Sequence, residues 1–99
     1  MQHWYTKSTE ELCEAILSLQ TKEECAAFLE DICTIKEIQD ISQRLEVARM
    51  LSQGINYTTI CKETGASTAT ISRVSKCYAY GTGGYRTVIE RMNGGSGDD

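Results

Sequence analysis

The chain has 99 residues, 40% of them apolar, and carries 10 basic and 14 acidic side chains for a net charge of −4, with no proline. That length predicts one small domain with a limited core, and the composition excludes disordered and collagen-like classes. No apolar run approaches the roughly 20 residues needed to cross a bilayer, and Met1 to Lys7 opens no signal peptide, so no membrane association is expected and the expected location is the cytoplasm.

Five cysteines, at positions 13, 25, 33, 61 and 77, form an odd set without a C-x-x-C pair, and His3 is the only histidine. An odd count argues against a disulfide framework, and a zinc site lacks ligands. The cysteines are expected to be small buried thiols on inward-turned positions. No thiol has an evident base to activate it, so no catalytic residue, no metal and no enzyme activity are expected.

In chain order, three helix starts share one design. Ser8-x-x-Glu11, Thr21-x-x-Glu24 and Thr34-x-x-Glu37 each read as a capping box, in which hydroxyl and carboxylate satisfy backbone N–H groups reciprocally. The first helix, about 8 to 19, has Leu12, Ala15, Ile16 and Leu19 on one face; the second, about 22 to 33, has Cys25, Phe28, Leu29, Ile32 and Cys33. One apolar stripe per helix on so short a chain predicts burial between helices and points to a second copy of the chain as the way to enlarge the core. The third helix, about 35 to 53, is the longest, with Ile38, Ile41, Leu45, Ala48 and Leu51 or Met50 as its stripe; at 1.5 Å per residue it spans about 28 Å.

Gly54 ends that helix, and from Gly54 to Ala79 the chain reads as a helix-turn-helix, with the motif at 56–79. Asn56 can cap a short helix from Tyr57 that stops at Gly65, and Ser67 can cap a second. Ala69, Ile71, Val74 and Cys77 of the second helix are expected to face inward, leaving Thr68, Thr70, Ser72, Arg73 and Lys76 as a polar face. Two short helices joined by a three-residue turn containing glycine is the geometry that places the second helix in the major groove of double-stranded DNA. Hydroxyls suit phosphates and base edges, and a threonine methyl can meet a thymine methyl. The bland alternative is a surface helix rich in Ser and Thr, residue types that form helices poorly.

After the break Gly81-Thr82-Gly83-Gly84, a closing helix is expected over Tyr85 to Met92, with Val88, Ile89 and Met92 at helical spacing. Tyr78, Tyr80 and Tyr85 are expected to contact a partner subunit, and residues 93–99, NGGSGDD, read as a flexible tail. Residues 1–92 are then a single helical domain.

The segment GASTATISRVSKC resembles the recognition segment of the Trp repressor superfamily, and the continuation CYAYGTGGYRTVIERM is similar to its Trp-repressor-like YerC/YecD branch. The resemblance covers about residues 6 to 92, with the specific core at Gly65 to Tyr85. It implies an all-α fold of about six helices, an intertwined homodimer and a sequence-specific DNA-binding transcriptional regulator, expected to act as a repressor. Because the N-terminal part of a recognition helix enters the groove, Thr68, Ala69, Thr70 and Ser72 are expected to face base edges and Lys62 and Lys76 to contact phosphates, with Ser67 and Arg73 completing the candidate DNA-binding set. The resemblance also implies an effector pocket: Arg44 and Arg73 match two arginines that hold tryptophan in the repressor. Where the repressor has a glycine after the second arginine this chain has Val74, and Cys77 replaces a pocket serine. The added carbons predict that L-tryptophan is not the effector and that no cofactor is needed.

Charge sets the main rival reading. Residues 1–57 hold 5 basic and 10 acidic side chains, whereas residues 58–92 hold 5 basic and 2 acidic. The basic half contains the proposed DNA-reading motif, while the acidic body suits an alternative, a helical protein-interaction module that no longer reads DNA.

Overall fold

The computed structural model describes residues 3–95. Among these residues there are six α-helices and no strand: α1 (Lys7–Leu17), α2 (Lys22–Ile32), α3 (Ile35–Ser52), α4 (Tyr57–Thr64), α5 (Thr68–Tyr80) and α6 (Gly84–Glu90). The last runs into a π-helical turn, Arg91–Gly95, which takes in the first residues of the expected tail; residues 96–99 lie outside the described residues. The chain separates into two units, residues 1–38 and 39–99, with the division falling inside α3. Among the described residues no helix is long and apolar enough to cross a membrane.

In the first unit the caps carry the order. Thr21 Oγ1 accepts from Glu24 N at 3.0 Å, and the Glu24 carboxylate accepts from Gln20 N at 2.8 Å. At the start of α3, Thr34 and Glu37 form the full reciprocal box: Glu37 N donates to Thr34 Oγ1 at 3.1 Å and Thr34 N to Glu37 Oε1 at 2.8 Å. The first expected box is corrected. Thr6, in extended conformation, caps α1 by accepting from Thr9 N at 3.3 Å, so Ser8 falls inside the first turn. Thr9 Oγ1 also donates to Trp4 O at 3.1 Å, which ties the chain back before Thr6 and selects the earlier of two cap-type residues.

The stripes of α1 and α2 are only partly covered, with Ala15, Leu19, Phe28, Leu29 and Cys33 half-buried. Neither helix has a buried residue; Leu12 is 40% exposed, Ile16 50% and Ile32 52%. The expected buried thiols are likewise corrected: Cys13, Cys25 and Cys77 are exposed, and Cys33 and Cys61 half-buried. No cluster of three or more metal-ligating side chains exists among the described residues.

All buried residues of the described chain belong to the second unit, where Val47, Ala48, Ile60, Ala66, Ile71, Val74 and Ile89 form the core. Fully burying Val47, Ile60, Ile71 and Val74 contributes about 1.5–3 kcal/mol each. From the expected α3 stripe, Ala48 is in this core with Leu45 and Leu51 against it, and Val47, not anticipated, joins them. The helix closes with paired bonds from Ile55 N to Met50 O (3.2 Å) and Gly54 N to Leu51 O (3.0 Å). Gly54 takes φ +79° there, the left-handed cap glycine tolerates best, and Met50 and Ile55 pack on the core beside it.

Candidate nucleic-acid interface

Asn56 Oδ1 accepts from Thr59 N at 2.9 Å and starts α4. Gly65, at φ +77°, stops α4 with its N–H on Cys61 O. Ala66 is buried, and Ser67 Oγ accepts from Thr70 N at 3.1 Å to start α5. The turn Gly65-Ala66-Ser67 is therefore held at each residue: by backbone conformation, by burial and by a cap.

Thr64, which the sequence reading did not single out, locks this turn. Its hydroxyl donates to Ile60 O at 2.7 Å and accepts from Ala66 N at 3.1 Å, while its carbonyl accepts from Gln43 Nε2 of α3 at 3.1 Å. The signal available was a threonine in a last helical turn, where hydroxyls bond back to the carbonyl four residues earlier; Gln43 carried none.

Ile71 and Val74 fix the inward side of α5, both essentially without exposure. Ala69 and Cys77, expected inward, are exposed. At 100° per residue, Ala69 stands about 160° from Ile71 and Cys77 about 120° from it, and the inward place is taken by Ala66. The outward side presents Thr68, Ala69, Ser72, Arg73 and Lys76, with Ser67 and Lys62 also exposed. Thr70 is half-buried, and its hydroxyl is engaged by Ser67 Oγ at 3.1 Å. Between Tyr57 and Tyr80 the charged residues are Lys62, Arg73 and Lys76 against Glu63, a local balance of +2 on a chain of −4.

The expected effector pocket divides. Arg44 and Arg73 line one depression of about 150 Å³ together with Ala69 and Thr70. Val74 is instead 1% exposed in the core. Cys77 lines a separate apolar hollow of about 660 Å³ with Leu45, Gly81, Thr82, Gly84, Tyr85 and Val88. Beyond α5, Arg86 Nε donates to Tyr78 O at 3.0 Å, and its guanidinium lies 4.4 Å from the Tyr78 ring centre. This cation–π contact fastens α6 to the end of the second helix of the motif. Tyr80 projects outward, 86% exposed.

A family model described as Trp repressor protein matches residues 7–93. The Bacillus subtilis (strain 168) protein YerC, described as uncharacterized, is 54% identical over 86 residues, covering 87% of this chain and 83% of that one. The crystal structure of a TrpR-like protein from Eubacterium eligens ATCC 27750 superimposes with a TM-score of 0.86 at 50% identity, over 90% of this chain and 92% of that one. A crystal structure of a Staphylococcus aureus protein gives 0.85 at 50% identity, over 89% and 88%. The helix-turn-helix and the agreement of fold and sequence over nearly the whole length have one reading: the chain belongs to the Trp repressor protein family, whose fold is that of a transcription regulator and not of an enzyme.

Proposed function

We propose that the protein is a sequence-specific DNA-binding transcription regulator of repressor type that works as a homodimer, with α5 as its recognition helix. The observation that carries this reading is the division of α5 into a buried back, Ile71 and Val74, and an exposed front of Thr68, Ala69, Ser72, Arg73 and Lys76. A helix entering a groove needs its reading face free and its back held rigidly. Lys62, Arg73 and Lys76 supply charge for phosphates, and Glu63 is the one acid between Tyr57 and Tyr80, which favours DNA over the interaction-module alternative. Dimerisation is supported by the stripes of α1 and α2 and by the apolar hollow beside Cys77, surfaces that a second copy would cover.

Free L-tryptophan is not the effector on this reading, and no cofactor is required. Of the expected pocket residues only Arg44 and Arg73 share a depression, of about 150 Å³, while Val74 lies in the core and Cys77 lines a separate hollow, so the four do not surround one ligand. Selection from a random duplex pool tests the function: a recurring, two-fold symmetric sequence is expected, and Lys76→Ala should weaken selected and random duplexes alike. Failure to enrich any sequence would sink the regulator reading. Calorimetric titration of tryptophan, with and without the selected duplex, should show no micromolar binding.

A further inference from the structure

We infer that α5 selects its site chiefly through the 5-methyl groups of thymine, met by the methyls of Thr68 and Ala69; this rests on the DNA-binding reading above.

The inference follows from what the exposed face offers and what it lacks. The major groove distinguishes bases through a small set of side-chain partners: Asn or Gln bidentate to adenine, Arg or Lys to guanine, Asp or Glu accepting from cytosine, and apolar groups against the thymine methyl. From Ser67 to Tyr80 the sequence STATISRVSKCYAY contains no Asn, Gln, Asp or Glu, so adenine and cytosine have no dedicated reader on this helix. Of its two cations, Arg73 supplies charge for phosphates on the reading above and is the sixth residue of α5, past its first turn and a half. Lys76 lies two turns beyond the first residue of α5, whereas bases are met by the N-terminal residues of a recognition helix.

Within the first turn and a half, Thr70 is withdrawn: half-buried, with its hydroxyl on Ser67 and its N–H in the cap. Thr68, Ala69 and Ser72 remain exposed. Ser72 has a hydroxyl, which serves donor or acceptor without discriminating. Thr68 adds a methyl to its hydroxyl, and Ala69 is a methyl alone. An exposed alanine in the first turn of the helix is a short apolar group that a base edge can meet at close range. Thymine is the base whose groove edge ends in a matching methyl.

The test takes the duplex recovered from a random pool and replaces each thymine by deoxyuridine, which removes the 5-methyl and leaves every hydrogen-bonding group. Affinity is measured by fluorescence anisotropy at fixed salt. Loss of one well-packed methyl contact corresponds to about a fourfold weakening, so one or two thymines per half-site should each show about that loss. Thr68→Ser removes one methyl and retains the cap-region hydroxyl; Ala69→Gly removes the other. Each variant should bind more weakly and become indifferent to uracil at one thymine position while remaining sensitive at the other. Unchanged affinity for a fully uracil-substituted site would overturn the methyl reading and leave DNA binding standing. Variants that each keep the full uracil sensitivity of the parent protein at every thymine position would overturn the assignment to these residues. Recovery of no sequence from the pool would overturn both proposals together.

Discussion

Thr64 and Gly65 show how much of a binding face depends on groups that never reach the ligand. The Thr64 hydroxyl bridges Ile60 O and Ala66 N in a part-buried setting, and Ala66 itself lies in the core. Thr64→Val keeps shape and volume and removes both bonds. It should destabilise the fold by about 0.5–1.5 kcal/mol for each bond lost, the net worth of an intramolecular hydrogen bond. Gly65→Ala acts differently: nothing lies within 4 Å of the added methyl, yet φ is +77°, so the penalty is the backbone strain of about 1–2 kcal/mol alone. Chemical denaturation at one fixed protein concentration measures both, and a neutral Thr64→Val would remove the hydroxyl from the account of the turn. Gly81 is constrained by space instead, because a methyl there would run into the backbone of Cys77.

Among the helices, the start of α1 separates a sequence pattern from the bond that forms. Ser8 and Glu11 have the spacing of a capping box, but Thr6 makes the cap and Thr9 fastens it to Trp4. Thr6→Ala should therefore cost about 1 kcal/mol and lower helicity, whereas Ser8→Ala, inside the first turn, should be neutral or slightly stabilising because alanine is the better helix former. Circular dichroism through a thermal melt distinguishes them; the opposite order would return the cap to Ser8. A single cap carries weight here because α1 buries no residue within the chain.

For the whole molecule, apolar surface is the governing fact. The buried residues number few and lie in residues 39–99, while Leu12, Ile16, Leu17, Ile32, Ile35 and Ile41 stay at least 40% exposed. Side chains of this kind are worth about 1.5–3 kcal/mol each when fully buried, which provides a large drive toward association. Sedimentation equilibrium at micromolar concentration should give twice the chain mass of 11.0 kDa, and unfolding should shift to higher temperature as protein concentration rises. A stable species of one chain mass would remove the paired recognition helices from the proposed function.

The helix-turn-helix was legible from residue types alone because its signals are local: Asn56, Gly65 and Ser67 act on backbone groups within three or four residues of themselves, and each does so in the structure. The same holds for the caps at Thr21 and Thr34 and for the all-α class. Family membership was legible for a related reason, since the segment Gly65 to Tyr85 is specific as a string. Which side of each helix is covered was decided only by tertiary packing. Burial depends on what else arrives in space, so Val47 joined the core unannounced, Ala66 displaced Ala69, and the cysteines stayed open. The Gln43 bond to Thr64 joins residues 21 apart, and no local pattern encodes it. The separation of Arg44 and Arg73 from Val74 and Cys77 has the same origin: one helix turns different residues toward different neighbours, and only the fold says which neighbours those are.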